Sequence, residues 1–574
     1  MKVILIAIVL LLLSPIANAQ ETTANTKTAG TASREKAVEL LESLATQVTS
    51  LQSAENRARI AANIAESLWQ HNEKRARALF ISIEDDINLG FQNRNLKDQE
   101  DELAVKVFLK LRGDTVQRIA KYDPEFALTF LSATEPQAEE ITRMFADDQR
   151  SLEIQLAKQI AATSPDIALK LGRQSLARGF STDLFPVLRQ LNRKHRDKGV
   201  TLYKEAVQKL RDRDFTEDWE AAEFARALVQ FFEPPVADES AYRELVNTLL
   251  TTALKAGCDK ESINEDDGET FCTQISPLVG TMEKVDPLRA RKLKHLEISE
   301  ESRGPVADAY AELEDIGADG SVDDILAVAE RYPNMGVSVY SMAVTKACEL
   351  GDIERAKKIA SSFPGDADNR EMLQEQVRRV AAQSEMTVDQ ILESQKQAFE
   401  QMGFHPKRAQ LLIGLAGNLG PNNKGGALKL LDEAVELVEG IKHPGERIRT
   451  RLYLASLYCL QGSDRGLDIV QSQIPKLNEL IDAAVKLDGL DTNYLRDGEW
   501  NMSANGEIGG LLTMMSQNAG SFAWRDFDRA VSLAGQFERN EIRIMAQVKL
   551  AQSILAGPPT RSGNTQRHYI ELSH

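Results

Sequence analysis

The sequence predicts an all-α fold, namely an α-solenoid of stacked helix-turn-helix repeats arranged as a right-handed superhelix or a curved array. Three observations predict it. A ten-residue stretch recurs along the chain, and residues typical of helix starts divide the chain at intervals. Between these points, apolar residues recur with the period of amphipathic helices. Between Arg34 and Lys255 no segment alternates convincingly with the period of two expected of strands.

The recurring stretch occupies residues 119–128, IAKYDPEFAL, and returns at residues 160–169 as IAATSPDIAL, 41 residues later. Residues 282–290, MEKVDPLRA, are a third and looser copy. A period of about 40 residues with at least two helices per unit is typical of helical solenoids, in which each unit packs against its neighbours. The alternative is an irregular helical domain with three similar turns.

The first two copies predict the start of a helix. Asp123 and Ser164 are expected to accept a hydrogen bond from a backbone N–H that has no partner inside the helix. Pro124 and Pro165 then take the first helical position, where a missing N–H costs nothing. Gly179 is expected to end the second helix in the left-handed conformation.

Composition and charge limit the classes of partner. The chain has 574 residues, of which 42% are hydrophobic and 6% aromatic, which favours thin helix–helix cores over one thick core. The formal net charge of −17 argues against nucleic acid or anionic lipid as the main partner.

The N-terminus has the organisation of a secretory signal peptide, residues 1–19. Lys2 precedes an unbroken apolar run over residues 3–13, and Ala17 and Ala19 supply small residues for cleavage after Ala19. The run is shorter than the ~20 apolar residues that span a bilayer, and an uncleaved anchor is the alternative. We therefore expect export to the periplasm or the extracellular space, with no membrane insertion after cleavage.

Helical periodicity and turn-rich segments predict the remaining divisions. Helical apolar patterns cover residues 139–162 and 185–211, and one clear stripe consists of Ala76, Leu79, Phe80, Ile83 and Ile87. Residues 20–33 lack large apolar side chains and are expected to form a disordered linker. An N-terminal helical-repeat region, 34–303, and a C-terminal one, 322–556, are expected on either side of a Gly-, Pro- and Asp-containing hinge, 304–321. Residues 557–574 are expected to be a disordered tail.

Two of the four cysteines suggest a disulfide. Cys258 and Cys272 flank an acidic, glycine-containing loop, and a bridge between them is expected in an exported protein. The alternative, for a protein that stays in a reducing compartment, is that all four cysteines are free thiols. Cys348 and Cys459 lie in apolar helical patterns and are expected to be buried thiols. The loop carries four carboxylates that offer oxygens to Ca²⁺, but its spacing fails the EF-hand pattern, so we interpret it as a solvated surface loop. These carboxylates belong to Glu265, Asp266, Asp267 and Glu269.

Residues 340–364, YSMAVTKACELGDIERAKKIASSFP, resemble a tetratricopeptide repeat. Tyr340 and Ala343 fit the first helix, Gly351 and Asp352 the turn, and Ala356 the second helix. The resemblance implies a helix-turn-helix array and specifies architecture more than function.

The longest irregular stretch, residues 487–509, suggests a binding loop, because exposed loops with aromatic residues often carry function. Its candidate binding lip consists of Tyr494, Asp497, Glu499 and Trp500. The alternative is that Trp500 pins the loop onto a neighbouring helix.

No short catalytic, nucleotide-binding or metal-binding motif occurs, and no cofactor or metal is predicted. The sequence therefore favours an exported, non-catalytic scaffold or protein- or peptide-binding protein. The alternative is an enzyme of a toroidal or superhelical fold that acts on cell-wall or extracellular polysaccharide through two carboxylates and stacking aromatics.

Overall fold

The computed structural model describes residues 32–232, 238–258, 271–296, 320–332, 336–385, 406–419, 423–490, 493–502 and 506–558, together with Leu313 and Ile316. Most of these residues are helical, and the two strands among them are two residues long. The all-α class is therefore confirmed. Contacts divide the chain into a middle unit, Glu84–Pro305, and a terminal unit formed by Met1–Ile83 with Val306–His574.

The first helices are α1 (32–47), α2 (Ala54–Leu68) and α3 (Glu73–Phe91). Then follow α4 (Gln99–Ala120), α5 (Pro124–Ala133), α6 (Glu139–Met144), α7 (Ala146–Ile160), α8 (Pro165–Arg178), α9 (Phe185–Lys194), α10 (Arg196–Arg211), α11 (Trp219–Phe231), α12 (Glu239–Lys255), α13 (Phe271–Ile275), α14 (Val279–Val285) and α15 (Pro287–Ala290). The next elements are α16 (Val322–Arg331), α17 (Gly336–Glu349), α18 (Ile353–Ser362), α19 (Ala367–Glu385), α20 (Pro406–Asn418), α21 (Lys424–Val438), α22 (Pro444–Leu460) and α23 (Arg465–Lys486). The last are β1 (Leu495–Arg496), β2 (Glu499–Trp500), α24 (Glu507–Gln517), α25 (Ala519–Arg525), α26 (Phe527–Ala534) and α27 (Asn540–Ala556).

Within each unit, helices pack most extensively against their neighbours in the chain. In the middle unit α7 packs against α8 and α9 against α10, and α8 also touches α10. In the terminal unit the closest pairs are α20 with α21 and α22 with α23. This is the pattern of stacked helix pairs that the recurring stretch predicted.

The Asp-Pro starts are confirmed. Helix α5 begins at Pro124, and the Asp123 carboxylate accepts a hydrogen bond from the Phe126 N–H at 2.9 Å. In the looser third copy, Asp286 likewise accepts from the Arg289 N–H at 3.1 Å, just before α15. Negative charge at these ends also suits the helix dipole.

Two local expectations in the second copy are wrong. Helix α8 begins at Pro165 as predicted, but the Ser164 side chain makes no capping hydrogen bond. Gly179 ends α8 with φ 159° and ψ −169°, which is not the left-handed region. Its φ of 159° is a conformation that residues with side chains rarely adopt, which accounts for glycine at this position.

The helical apolar patterns predicted the buried faces well and the breaks less well. The stripe expected from the sequence is buried at every position, namely Ala76, Leu79, Phe80, Ile83 and Ile87. The pattern over 185–211 is interrupted at His195, which separates α9 from α10. The pattern over 139–162 is likewise interrupted at Phe145.

A buried arginine connects three helices of the middle unit. Arg112 on α4 is 1% exposed. Its guanidinium donates to the Leu131 carbonyl at 2.6 Å, to the Thr134 hydroxyl at 3.0 Å and to the Gln149 side-chain oxygen at 2.6 Å. Burial, the largest cause, lowers the pKa of Arg112 to about 10, so the group stays protonated at neutral pH. Arg112 therefore holds together α4, the end of α5 and α7.

The segment that resembles a tetratricopeptide repeat forms the helix pair α17–α18. Gly351 in its turn has a φ of 76°, a left-handed conformation that favours glycine. Asp352 caps α18 by accepting from the Arg355 N–H at 3.0 Å. Ala343 and Ala356 are fully buried between the helices. The pair is a helical repeat of closely packed helices joined by a tight turn.

The predicted division into 34–303 and 322–556 differs from the observed units, because contacts place Met1–Ile83 with the C-terminal part of the chain. The physical reason is direct packing of α2 against α27. Inside the expected hinge the structure describes Leu313, Ile316 and residues 320–321. Of the expected linker, 20–33, residues 32–33 belong to α1 and the rest lie outside the described residues, as do the predicted signal peptide, 1–19, and residues 559–574.

Candidate functional site

A β-hairpin lies within the stretch that the sequence analysis interpreted as irregular. Its register pairs Leu495 with Trp500 and Arg496 with Glu499. The two turn residues, Asp497 and Gly498, have φ values of 54° and 78°. Positive φ at both positions is what a two-residue type I′ turn requires, and Asp-Gly is its strong sequence signal. This signal was present in the sequence and was missed.

The hairpin supplies the cap for a helix at the other end of the chain. The Glu499 carboxylate accepts hydrogen bonds from the backbone N–H groups of Gln52 at 2.7 Å and Ser53 at 3.2 Å, and from the Asn56 side chain at 3.2 Å. Ser53, the residue before α2, makes no side-chain capping bond of its own. Glu499 therefore binds the backbone N–H groups of the two residues just before α2, at a helix end where negative charge suits the dipole.

The next residue, Trp500, is buried to 2% exposure and is fixed on several sides. Its ring stacks on Tyr494 with centroids 5.5 Å apart. Its backbone N–H donates to the Glu541 carboxylate at 2.7 Å, and Arg539 donates to the same oxygen at 2.7 Å. The indole is thus held against the start of α27.

Helices α2 and α27 are joined by polar side chains along their length. The Lys549 ammonium donates to the side-chain oxygen of Asn63 at 2.9 Å. The Gln552 amide donates to the Asn63 carbonyl and to the Ser67 hydroxyl, both at 3.0 Å. The first and last parts of the described chain therefore form one continuous structure in the terminal unit.

A cavity of about 220 Å³ opens beside this junction. It lies between α23, α24, α25, α26 and α27, with Trp500 in its wall. Its apolar lining consists of Leu467, Val470, Ile474, Trp500, Met502, Leu512, Met515, Ala519, Phe522, Ala530, Leu533, Ala534, Phe537, Ile542, Met545, Ala546 and Leu550. One part of the lining is buried, namely Trp500, Phe522 and Leu533, and another part is half-buried, namely Leu512, Met515 and Met545. The cavity therefore has an inner wall and an accessible side.

The charged groups in the described lining are both cations, Arg59 and Lys549. Arg59 donates to the Glu55 carboxylate at 2.8 Å, and Lys549 is held by Asn63. Thr513 and Ser516 add hydroxyls. No carboxylate, histidine or cysteine belongs to this lining, so it offers apolar contact with positive charge at one side, a combination suited to binding. No short motif marks Arg59 or Lys549, because they lie at opposite ends of the sequence.

The candidate binding lip is not an exposed lip. Glu499 and Trp500 are buried, at 9% and 2% exposure, because one caps α2 and the other fills the cavity wall. Tyr494 is half-buried against Trp500, and Asp497 is exposed in the hairpin turn. The structure thus favours the alternative that Trp500 pins the stretch in place.

The structure joins Cys258 and Cys272 by a disulfide, with Cα atoms 5.4 Å apart. The acidic loop between them, 259–270, lies outside the described residues. Cys348 is half-buried and Cys459 is buried, both as free thiols, and burial raises the pKa of Cys459 to about 12.

In the part of the chain that the structure describes, no group of three His, Cys, Asp or Glu side chains is arranged to hold a metal ion. None of the described helices combines the length and apolar character needed to cross a membrane.

Comparisons with known proteins give little further information. No protein-family model matches the chain, and no curated protein matches it. A solved structure described as a circular tandem repeat protein with novel repeat topology and enhanced subunit contact surfaces aligns over 95% of this chain and 98% of its own. The identity is 11% and the TM-score 0.20, and we infer nothing from this likeness.

Proposed function

We propose that the protein is an exported, non-catalytic helical-repeat protein that binds a protein or peptide partner through the cavity of its terminal unit. The helical-repeat fold is consistent with a scaffold or binding role. The observation that supports this proposal is the open apolar cavity bounded by five helices and Trp500. As part of the same proposal, we assign α17–α18 as a tetratricopeptide-like pair, supported by buried Ala343 and Ala356 and by the left-handed Gly351.

The size of the cavity favours side chains of a partner over a large small molecule. Pockets for drug-sized ligands measure roughly 300–1,000 Å³, whereas this cavity measures about 220 Å³. An engineered apolar cavity of about 150 Å³ already binds benzene. One or two large apolar side chains therefore fit, as at the centre of a protein interface. Three methionines in the lining can adapt their shape to different side chains.

The polysaccharide-acting alternative finds less support at this site. It needs two carboxylates about 5–9.5 Å apart beside the ligand, and the described lining contains none. Glu499 and Glu541 lie next to Trp500 in the structure, but both accept hydrogen bonds from N–H groups that hold the fold together. Binding is therefore the better-supported role.

Filling the cavity is expected to reduce partner capture strongly. Ala546 is a half-buried lining residue, so Ala546→Phe would occupy the space that the partner needs. We expect capture to fall by about tenfold or more, because central pocket contacts dominate interface energy. The measurement places a photo-crosslinking amino acid at Thr513, an exposed lining position, and compares crosslinked products from intact cells by mass spectrometry.

The matched control is Ala556→Phe, which changes an exposed alanine at the end of the same helix outside the cavity. This control should capture the partner as the unchanged protein does. Equal capture by the Ala546→Phe protein would show that the cavity is not the binding site.

Export is expected to leave two chemical signatures. The signal sequence predicts that the protein recovered from cells begins at Gln20. The Cys258–Cys272 disulfide, which persists in oxidising compartments, predicts two reactive thiols after unfolding without a reductant and four after reduction. N-terminal sequencing and thiol titration measure both. A chain that starts at Met1, or that gives four thiols without a reductant, would contradict export.

A further inference from the structure

Three methionines lie in the wall of the cavity, and each comes from a different part of the fold. Met502 follows β2, Met515 belongs to α24 and Met545 to α27. All three are half-buried, so part of each side chain faces the accessible side of the cavity. A thioether sulfur can be oxidised, whereas the leucine and isoleucine side chains of the same wall cannot react in this way. The cavity therefore combines an apolar binding surface with three oxidisable atoms.

The cavity is large enough to admit a small oxidant. Its volume is about 220 Å³, whereas a water molecule takes about 30 Å³ of the liquid. Hydrogen peroxide exceeds water by a single oxygen atom, so it fits beside any of the three side chains. It is also uncharged, so its entry into an apolar space avoids the large cost of removing water from an ion.

The cysteines of the chain compete poorly for such an oxidant. Cys258 and Cys272 are already joined in a disulfide. Burial raises the pKa of the Cys348 thiol and raises the pKa of Cys459 to about 12, so both thiols stay protonated at neutral pH. The thiolate is the reactive form of cysteine. Methionine thioethers are therefore the sulfur groups of the terminal unit that a mild oxidant attacks first.

We propose that Met502, Met515 and Met545 form an oxidation site, and that their conversion to sulfoxides by hydrogen peroxide closes the cavity to apolar ligands. In each reaction the sulfur lone pair attacks one peroxide oxygen, an S–O bond forms and the O–O bond breaks. The departing hydroxide takes the proton from the oxygen that stays on sulfur, so the products are a sulfoxide and water. This inference rests on the proposed function, because it concerns regulation of the same binding cavity.

The effect on binding follows from the polarity of the product. Oxidation turns a flexible apolar side chain into a polar one. An apolar ligand that filled the cavity would separate the new sulfoxide oxygens from water, and a polar group without a hydrogen-bond partner is unfavourable in such surroundings. Oxidation therefore favours a hydrated cavity over an occupied one. Because sulfoxide reductases reverse the reaction, the site acts as a reversible switch.

The test measures binding of one defined apolar probe before and after oxidation. The probe is toluene, because an apolar cavity of about 150 Å³ already binds benzene, and its affinity for the full chain is measured by calorimetry. After treatment with dilute hydrogen peroxide, peptide mass spectrometry should find sulfoxides at Met502, Met515 and Met545. We expect the affinity for toluene to fall about tenfold. The affinity should return after treatment with methionine sulfoxide reductases A and B.

Two matched variants, each with three substitutions, locate the effect. The cavity variant replaces the three lining methionines by leucine, which removes the oxidisable atoms at nearly constant volume. The control variant makes the same change at three exposed positions outside the described lining, namely Met144→Leu, Met342→Leu and Met372→Leu. Each protein is compared with itself before and after peroxide. The cavity variant should keep its own starting affinity, whereas the control variant should lose affinity as the unchanged protein does.

Sulfoxides at the cavity methionines without a loss of affinity would overturn the inference, and so would their absence at these residues. Equal losses in the cavity variant and the unchanged protein would overturn it as well, as would a lack of toluene binding before oxidation. If the cavity variant does not fold, the reductase treatment of the unchanged protein decides, and a loss without recovery counts against the inference. The proposed function fails separately, if Ala546→Phe leaves crosslinking in cells unchanged.

Discussion

Replacing Glu499 by alanine is expected to release the N-terminus of α2. The free energy of unfolding of the terminal unit should fall by about 3 kcal/mol, because a hydrogen bond to a charged group contributes roughly 1.5–3 kcal/mol and the contributions of several bonds to one carboxylate do not simply add. The carboxylate accepts from the N–H groups of Gln52 and Ser53 and from Asn56, and alanine would leave these donors unsatisfied. Glu499→Gln keeps one acceptor oxygen without the charge and should cost less.

Hydrogen exchange of the α2 amides is the direct measurement, because it reports local opening within one unit of a two-unit chain. Exchange over α2 should accelerate in Glu499→Ala, whereas Glu479→Ala should change nothing, because Glu479 is exposed on α23. Trp500 follows Glu499 and lines the cavity, so the same variant should also weaken ligand binding. Unchanged protection of α2 would show that the carboxylate does not cap it.

Replacing Arg112 by alanine is expected to destabilise the middle unit by about 4 kcal/mol, because each buried acceptor left unsatisfied costs roughly 1–3 kcal/mol. Three oxygens would lose their donor, those of Leu131, Thr134 and Gln149. The missing side chain would also leave a void among α4, α5 and α7. Arg112→Lys keeps the charge but cannot reproduce the three hydrogen bonds of the planar guanidinium. The stability of this variant should therefore lie between that of the unchanged protein and that of Arg112→Ala.

Urea denaturation would measure the change in the free energy of unfolding, and hydrogen-exchange mass spectrometry of α4, α5 and α7 would locate it in the middle unit. The control is Arg193→Ala, at an exposed arginine of α9 in the same unit. If Arg112→Ala and Arg193→Ala had equal stability, the buried network around Arg112 would be energetically neutral.

The local features of this fold could be predicted because they depend on residues a few positions apart. Asp123 and Pro124 are adjacent, and the bond to the Phe126 N–H closes within one helical turn. The stripe from Ala76 to Ile87 follows from helical periodicity alone. Errors arose in the second copy, where the Ser164 side chain makes no capping hydrogen bond and Gly179 takes φ 159° and ψ −169° in place of the left-handed conformation.

The candidate site was misinterpreted for two different reasons. The Asp497–Gly498 turn was a local signal that the sequence contained, but the strands on either side of it have only two residues each, too few to show an alternating pattern. The burial of Glu499 and Trp500 had no local signal, because the residues that cover them belong to α2 and α27. The polar and aromatic composition of the loop therefore suggested an exposed surface, whereas its residues form buried contacts with α2 and α27.

By itself, the sequence determined that this protein is helical, where many of its helices begin, and which of their faces are apolar. Only the tertiary structure decided that α2 packs on α27, that Glu499 accepts a hydrogen bond from Gln52, 447 residues away and just before α2, and that Arg59 and Lys549 share one cavity. The physical reason is that capping and periodicity are set by neighbouring residues. Contacts between distant helices instead depend on burial summed over many side chains, which the order of residues does not reveal.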